Sequence, residues 1–410
     1  MFMEKILDLH IHSPYARACS PRISPDSIAR ICEIKGLDVI GTGDFTHPDW
    51  FTLLNKKLIE VDDSGLYQLR DASSKTLFLL STEVSLIYKE AGKTRKIHLV
   101  VHAPSLAVAK ELNQKLTKRF NLKSDGRPIL GISAPKFVRF CLNIDSRFLI
   151  YPAHIWTPWY SVLGAKSGFD SLEACFQEEM INIHAFETGL SSDPQMNWQL
   201  SSLDDLTCLS NSDAHSLENI AREANIMELA SLSYANIYRV IKNNLKIVAG
   251  DKEGLLGTIE FYPEEGKYYY DGHSQCSFSC SPQESRRIKG ICPICHKPLT
   301  LGVNHRIMDL ADREKSDKAK FSSPFFKLVA LDKIIAKSLG VKSRSAQKVV
   351  KKYCELINRY GPEIYILKDL ELDDLAIEDY KIAIAIKKIR ANELKVNPGF
   401  DGKYGEINIF

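Results

Sequence analysis

Short apolar runs alternate with helix-length amphipathic stretches through about the first 250 residues. Seven runs predict strands, with KIVAG at 246–250 as a possible eighth: 5–12, 37–44, 76–84, 95–103, 147–155, 182–190 and 206–213. Strands that alternate with helices are typical of parallel βαβ units, and at this length they predict a barrel. After the first strand, Ser24 and Pro25 predict a helix start and Gly36 predicts its end, because serine caps free N–H groups and glycine tolerates a left-handed turn.

The hydrophobic pattern changes near residue 258. Residues 262–305 are rich in Gly, Ser, Cys, Pro and Tyr, which predicts a small module dominated by loops. Helical periodicity returns from residue 313 and ends in a turn at 397–402, followed by a short last strand. We therefore expect three domains, at 1–257, 258–310 and 311–410.

Composition narrows the class of protein. With 44% hydrophobic and 26% charged residues, a largely disordered chain is excluded. No run reaches the roughly 18 apolar residues that cross a bilayer, and the start lacks a secretory signal. Ten cysteines in 410 residues are too few for a disulfide scaffold, so we expect a cytoplasmic protein. The formal net charge of +3 indicates no particular partner.

Nearly every predicted strand closes with a side chain that can bind a metal ion. These residues are His10, His12, Asp44, Glu83, His98, His154, Asp213 and His215. In a β/α barrel the strand ends meet at one rim, so distant residues become neighbours there. Imidazoles and carboxylates suit zinc, manganese or iron, and Glu83 could bridge two ions. Any one of them could instead be a core histidine or a helix cap, but their number favours a metal centre.

A second set of ligand types lies in the short middle module. Cys276 and Cys280 form one pair, and Cys292 and Cys295 form another. This paired spacing predicts a four-thiolate structural zinc site, because four thiolates close a tetrahedral shell. Four unrelated buried thiols are the alternative. His273, His296 and His305 are spare candidates.

Positive charge is concentrated in the third domain. Eleven Lys or Arg side chains lie between residues 315 and 352, against two Asp. A helix that ends near 338–341 and a second that opens after 342–345 predict a helix–turn–helix-like hairpin. Its turn carries Lys342 and Arg344, which suit phosphates. A solvated helical face would explain the charges as well.

Several strand-end motifs resemble the polymerase and histidinol phosphatase (PHP) family. They are DLHIH at 8–12, TGD at 42–44, Glu83, His98, AH at 153–154 and SDAH at 212–215. The resemblance implies a distorted (β/α)7 PHP barrel that holds two or three ions and hydrolyses phosphoesters. Ala18 and Phe45 depart from the family pattern, and Cys19 or His47 could replace the missing ligand.

Motifs along the whole chain are similar to those of the endonuclease Q family. They are GDFTHP at 43–48, ETGLSSDP at 187–194, CPIC at 292–295, PLTLGV at 298–303, HR at 305–306 and PGFDGKYG at 398–405. The resemblance implies a DNA-repair endonuclease that cuts on the 5′ side of deaminated bases (uracil, hypoxanthine, xanthine) and of abasic sites. The implied fold is the PHP barrel with an inserted or appended four-cysteine zinc module and a mostly helical C-terminal domain.

We expect the eight strand-end residues to be metal ligands, with Asp213, Asp44 and Glu83 also taking part in catalysis and Asp44 as ligand or base. The cofactors would be Zn²⁺ in the structural site and the active site, with Mg²⁺ or Mn²⁺ as alternatives in the active site. Substrate contacts are expected from Trp156, Trp159, Tyr160, Lys342 and Arg344. The partner is double- or single-stranded DNA with deaminated bases, with a replication clamp or helicase as a further candidate; no membrane is involved, and a monomer suffices.

Two other functions fit parts of the pattern. A PHP barrel standing alone would be typical of a small-molecule phosphatase, although the basic and cysteine-rich modules argue against it. A zinc-containing nucleic-acid-binding protein without activity is the other alternative, because Ala18 and Phe45 depart from the ligand pattern. Metal analysis and a phosphatase assay separate the three functions.

Overall fold

The computed structural model describes residues 3–244, 253–314 and 323–410. Its first region alternates strands and helices. The strands are β1 (Met3–Asp8), β2 (Val39–Gly41), β3 (Leu58–Glu60), β4 (Tyr67–Leu69), β5 (Leu77–Leu79), β6 (Ser81–Glu90), β7 (Lys93–His102), β8 (Ile129–Leu130), β9 (Leu149–Pro152), β10 (Ala185–Glu187), β11 (Thr207–Leu209) and β12 (Ala224–Leu229). The helices are α1 (Pro25–Lys35), α2 (Pro48–Lys57), α3 (Leu106–Thr117), α4 (Ala134–Leu142), α5 (Leu172–Phe176), α6 (Pro194–Asn197) and α7 (Tyr234–Lys242).

The later elements are shorter and mostly helical. The middle region contains β13 (Gly254–Glu260), β14 (Asp271–His273), β15 (Phe278–Cys280), α8 (Pro282–Arg287) and α9 (Val303–Leu310). The C-terminal region contains β16 (Phe325–Lys327), α10 (Leu331–Ser338), α11 (Gln347–Tyr360), α12 (Glu363–Lys368), α13 (Asp373–Glu378), α14 (Tyr380–Arg390), β17 (Lys395–Asn397) and β18 (Glu406–Asn408). The fold is therefore mixed α/β with a helical C-terminal region, and α10 and α11 form the predicted hairpin.

Seven strand segments follow one another around a common interior. β1 pairs with β2 and β2 with β5, which continues into β6. β6 then pairs with β7, β7 with β9, and β10 with β11, while β9 contacts β10. A bridge between Ile11 and Ala214 leads from the end of β11 back to the end of β1. The interior is filled by buried side chains from successive strands, including Leu7, Val39, Leu79, Val100, Tyr151, Ala185 and Leu209.

Each of the seven predicted strands overlaps an observed strand, but the parallel order is only partly correct. β7 runs antiparallel to β6, because a two-residue turn joins the two strands. It also runs antiparallel to β9. Ala91 and Gly92 in this turn have φ of 48° and 75°, the positive values that a tight hairpin turn requires. β12, which pairs antiparallel with β1, is a strand that the sequence pattern did not predict.

Local signals determine helix α1. The Ser24 hydroxyl accepts a hydrogen bond from the Ser27 N–H, and the Ser27 hydroxyl accepts one from the Ser24 N–H. Pro25 occupies the first helical turn, and Gly36 ends the helix in a left-handed conformation with φ of 90°. The predicted bounds of this helix are confirmed.

The main sheet crosses the predicted domain boundaries. β13 spans residues 257 and 258, and β16 pairs in parallel with it, so the sheet includes a strand from the predicted third domain. Buried ion pairs join the same regions. The Lys327 ammonium lies 2.8 Å from Asp193, and the Lys35 ammonium lies 2.6 Å from Glu363. The predicted eighth strand at 246–250 and Lys315, Lys318 and Lys320 lie outside the described residues.

None of the helices in the described ranges has the length and apolar character needed to cross a bilayer.

Candidate metal centre and adjoining cleft

Seven of the eight predicted ligands meet at one edge of the strand ring. They form three overlapping groups, each with its ligand atoms within 4.8 Å of one another: His10, His12 and Glu83; His12, Asp213 and His215; and Glu83, His98 and His154. Glu83 and His12 each belong to two groups. The sequence places these residues after different strands, and the ring brings the strand ends together.

Glu83 lies at the centre of this arrangement and is fully buried. Its Oε1 is 2.9 Å from His98 Nδ1 and 3.2 Å from His154 Nε2. Its Oε2 is 3.3 Å from His12 Nε2 and 3.9 Å from His10 Nε2. Because its two oxygens face different pairs of histidines, Glu83 has the position of a carboxylate that bridges two ions.

Asp213 completes the arrangement from the loop after β11. Its Oδ1 is 3.0 Å from His12 Nε2, 3.8 Å from His10 Nε2 and 3.6 Å from His215 Nδ1. Asp213 and His154 have φ of 46° and 31°, a left-handed conformation that non-glycine residues rarely adopt. Backbone strain of this kind persists where the surrounding structure fixes it, and it is common at functional sites.

The donor atoms of this centre fit divalent cations. His10 Nε2, His12 Nε2 and Asp213 Oδ1 are buried without a hydrogen bond of proper geometry among the described residues, although His12 Nε2 and Asp213 Oδ1 lie 3.0 Å apart. Buried polar atoms are normally paired, so atoms that converge in this way suit a shared cation. Imidazole nitrogens mixed with carboxylate oxygens suit Zn²⁺, Mn²⁺ and Fe²⁺.

Asp44 does not join the ligand groups. Its Oδ1 lies 2.9 Å from His12 Nδ1, and its Oδ2 accepts hydrogen bonds from the N–H and hydroxyl of Ser13, both at 2.6 Å. These partners occupy both oxygens in a fully buried position. Asp44 is therefore placed to orient the His12 ring so that Nε2 faces the centre.

Glu187 has the same relation to His10, although the strand-end pattern in the sequence did not assign it to the site. Its Oε1 is 3.0 Å from His10 Nδ1, and its Oε2 accepts the His154 N–H at 2.9 Å. Asn211 donates to Glu187 Oε1 at 2.9 Å. Glu187 ends β10, and this position at the end of a strand is the same feature that identified the other candidate ligands in the sequence.

Arg127 is the second residue that the sequence analysis missed. Its Nη1 lies 2.9 Å from Glu83 Oε2, and its side chain is about one-fifth exposed. Burial of Glu83 would raise its pKa, but His98 and Arg127 hold the pKa of this carboxyl well below its ordinary value. Glu83 is therefore ionised, as a metal ligand must be.

The histidines differ in their electrostatic surroundings. Burial alone would lower the pKa of His10, but the charges of Glu187, Glu83 and Asp213 raise it to about 9. Burial lowers the pKa of His98 to about 4, although Glu83 opposes the change. The acidic groups therefore create a centre that attracts cations.

A cleft of about 360 Å³ opens directly beside the metal centre. His98, His154 and Asp213 form part of its wall, and the aromatic side chains of Trp159, Tyr160, Tyr268, Tyr269, Phe261 and Tyr404 form much of the rest. Trp159 is 40% exposed and meets Tyr268 edge to face, with ring centroids 5.5 Å apart. The cleft thus joins a cation site to aromatic surfaces.

Of the three aromatic residues predicted to contact substrate, Trp159 and Tyr160 line the cleft and Trp156 does not. Trp156 is fully buried, and its indole N–H donates to Asn197 Oδ1 at 2.7 Å. It packs in the core. Two residues earlier, His154 lies directly against Gly189. A Cβ at Gly189 would lie only 2.2 Å from His154 Cβ, so this approach requires glycine.

The two departures from the PHP pattern have different surroundings. Phe45 is fully buried in the core, and Ala18 has φ of 66° in the loop after β1. His47 stacks on Tyr15, with ring centroids 4.1 Å apart, and Cys19 is not in a ligand group. Neither alternative ligand is therefore brought into the centre in the described part of the chain.

A fourth ligand group lies in the middle region. It consists of Cys276, Cys292, Cys295 and His273, with their ligand atoms within 4.8 Å of one another. Cys280 is outside the group, so His273 takes the place that the spacing predicted for this cysteine. Cys280 lies at the far end of the β14–β15 hairpin, opposite Asp271, whereas His273 is at the end where the chain turns towards Cys276.

Comparison with known proteins gives one match to a family model and two relatives. Residues 330–393 match the MJ0043 C-terminal domain. The uncharacterized protein MJ0043 of Methanocaldococcus jannaschii is 30% identical over 295 residues, or 68% of this chain; the match covers 35% of that protein. The uncharacterized protein YqxK of Bacillus subtilis is 30% identical over 387 residues, covering 92% of this chain and 89% of that protein.

Two solved structures match the chain from end to end. The lesion-specific endonuclease PfuEndoQ of Pyrococcus furiosus has a TM-score of 0.86 and 30% identity, with 99% of this chain and 95% of that chain covered. Endonuclease Q in complex with a 27-mer duplex substrate that has an abasic lesion at the active site has a TM-score of 0.86 and 31% identity, with 100% and 97% covered. This chain belongs to the endonuclease Q family.

The basic turn of this endonuclease Q family member lies beside a groove of about 660 Å³. Lys342 and Arg344 line it together with Arg22 and Lys35. Arg344 is partly neutralised, because its Nε lies 2.9 Å from Asp332. The two predicted substrate-binding cations therefore face one groove, at some distance from the metal centre.

Proposed function

We propose that this protein is a metal-dependent endodeoxyribonuclease that hydrolyses the phosphodiester on the 5′ side of deaminated bases and abasic sites in DNA. The observation that carries the proposal is the shared wall of the metal centre and the aromatic cleft, formed by His98, His154 and Asp213. Membership of the endonuclease Q family supports the same reaction. The strand ring of the fold then corresponds to a distorted PHP barrel.

The proposed ligands are His10, His12, Glu83, His98, His154, Asp213 and His215. Divalent ions held there would lower the pKa of water and neutralise charge on the phosphate and the leaving 3′ oxygen. Zn²⁺ or Mn²⁺ suits the many imidazoles, whereas Mg²⁺ prefers oxygen ligands. Asp44 and Glu187 fix His12 and His10, which follow β1, and Arg127 can reach an anion beside Glu83.

Lesion recognition would use the aromatic wall of the cleft. A base in a duplex must leave the stack before a pocket can hold it, at a cost of a few kcal/mol that is smaller for a mispaired base. Trp159 and Tyr160 offer ring surfaces beside the centre, and stacking on such rings contributes about 1–3 kcal/mol per base. An abasic site has no base to unstack, so the cost is smallest there.

The smaller metal group supports a structural role. Three thiolates and one imidazole match a tetrahedral Zn²⁺ shell without an open position. We propose that Zn²⁺ bound to His273, Cys276, Cys292 and Cys295 stabilises the middle module. Lys342 and Arg344 are proposed to contact the DNA backbone.

The function is tested with end-labelled duplexes that contain one deoxyuridine, deoxyinosine, deoxyxanthosine or abasic site. We expect one nick on the 5′ side of each lesion when Mn²⁺ or Zn²⁺ is added, and none on undamaged duplex. Asp213→Ala should abolish cutting, whereas Asp205→Asn, on the exposed loop before β11, should retain it. Hydrolysis of p-nitrophenyl phosphate without DNA cutting would instead indicate a small-molecule phosphatase.

A further inference from the structure

Arg222 lies where two cavities meet. It lines the cleft beside the metal centre and also a second cavity of about 200 Å³. Phe261, Glu265 and Tyr404 line both cavities as well, so the two spaces adjoin. The Arg222 side chain therefore faces the cleft at the metal centre on one side and the second cavity on the other.

The guanidinium of Arg222 is held in place by main-chain atoms. Its Nε donates to the Ser212 carbonyl at 2.9 Å, and its Nη2 lies 3.4 Å from the Asp213 carbonyl. These carbonyls belong to the loop that presents the Asp213 carboxylate to the metal centre. The orientation of Arg222 is therefore fixed relative to the centre.

The charge of Arg222 has no direct counter-ion in the described part of the chain. Its hydrogen bonds there go to carbonyl oxygens and not to a carboxylate, although Glu223 is its neighbour in sequence. Three other cations along these cavities pair with carboxylates: Lys35 with Glu363, Lys333 with Glu265, and Arg344 with Asp332.

We propose that Arg222 binds a backbone phosphate of the DNA strand, next to the phosphate that is cut. A guanidinium presents parallel N–H groups that match two oxygens of a phosphate, and such charge-assisted pairs are strong. The inference rests on the proposed function, because it takes DNA as the ligand.

The second cavity adjoins the groove beside the basic turn, so the three spaces together offer room for a DNA strand. The second cavity shares Lys35, Glu218, Asn219 and Arg344 with the 660 Å³ groove. Arg222 is thus a cation that lines both the cleft at the metal centre and the cavity that leads towards the basic turn at Lys342. A phosphate at Arg222 would place the rest of the strand along that cavity.

The test uses two variants, Arg222→Gln and Arg222→Lys. Glutamine is neutral but can still donate to one of the two carbonyls, whereas lysine keeps the charge without the bidentate geometry. We expect Arg222→Gln to raise KM for a deoxyuridine duplex about 10- to 100-fold, with a smaller change in kcat. We also expect the steepness of log affinity against log salt to fall by about 0.9 in Arg222→Gln, the value of one phosphate contact. Arg222→Lys should keep the wild-type salt slope, because it keeps the charge, and its KM should lie between those of wild type and Arg222→Gln.

A second measurement identifies the phosphate itself. Single phosphates near the lesion are replaced, one at a time, by neutral methylphosphonates. A methylphosphonate at one position should weaken binding by the wild type but should not weaken binding by Arg222→Gln any further. Wild-type unfolding temperatures for the variants would show that the fold is intact.

Two outcomes overturn the inference. One is a loss of kcat in both variants with unchanged KM and unchanged salt slope, because that pattern indicates a purely structural support of the Asp213 loop. The other is a methylphosphonate effect that is equal in wild type and Arg222→Gln. Failure of the wild type to cut any lesion duplex would instead refute the proposed function.

Discussion

The role of Asp44 can be tested by replacing it with an isosteric amide. In Asp44→Asn the side chain keeps its shape, but only one of its two terminal atoms can accept hydrogen bonds, because the other is now an NH2 donor. If its oxygen faces His12, its NH2 meets the N–H and hydroxyl of Ser13; if it flips, its NH2 meets the protonated Nδ1 of His12. At least one buried donor therefore loses its acceptor, at a cost of about 1–3 kcal/mol.

The expected result is weaker metal binding with intact chemistry. A cost of about 1–3 kcal/mol corresponds to an about 5- to 150-fold change, which spans the about 10- to 100-fold loss of affinity typical when a carboxylate behind a metal-binding histidine is removed. We expect the Mn²⁺ concentration for half-maximal DNA cutting to rise by this factor, while the rate at saturating Mn²⁺ stays near that of the wild type. Competition with a fluorescent chelator measures the same affinity without activity.

A control and an opposite result complete the test. Asp38→Asn removes a carboxylate that pairs with Lys5 at 2.8 Å, outside the centre, and it should leave the Mn²⁺ dependence unchanged. If Asp44→Asn retains wild-type metal affinity but loses the saturated rate, Asp44 acts in the chemical step. The positioning role would then be refuted.

Three further predictions concern other parts of the molecule. Glu363→Gln leaves the Lys35 ammonium buried without its partner, so the free energy of unfolding measured by urea titration should fall by about 3–5 kcal/mol at neutral pH. Burial would raise the pKa of Glu363, but the charge of Lys35 lowers it. The ion pair therefore stabilises the fold above the unfolded pKa of about 4.3, and this stabilisation is lost as the pH falls below that value. The free energy of unfolding of the variant should accordingly depend less on pH in this acid range. His273→Ala should reduce bound Zn²⁺ by elemental analysis and Cys280→Ser should not; equal loss in both would contradict the observed ligand group. Trp159→Ala should weaken cutting at deoxyuridine more than at abasic sites, and an equal effect on both would argue against base stacking.

Local sequence signals predicted much of the fold. The helix after β1 follows from Ser24, Pro25 and Gly36 alone, because capping and helix termination depend on neighbouring residues. The antiparallel course of β7 depends on the turn at Ala91 and Gly92, and Ala-Gly is a weaker turn signal than Asn-Gly. The parallel arrangement predicted for this pair is therefore wrong, although both strands are present.

The candidate site was predictable to the level of residue type but not of role. Asp44 follows β2 and Glu187 ends β10, and only their contacts with His12 and His10 separate a positioning carboxylate from a ligand. A shift of a few ångströms decides between the two, and spacing does not encode it. His273 lay three residues from Cys276, yet the paired-cysteine spacing favoured Cys280.

The pairing of β16 with β13 has a consequence for synthesis of the chain. β13 ends at Glu260, but the strand that covers its outer edge lies at Phe325–Lys327. An uncovered strand edge is a template for association with other chains. At typical translation rates the edge waits on the order of 3 to 13 s for its partner, so the nascent protein is exposed to aggregation during that interval. A truncated protein that stops before β16 would keep this edge open permanently.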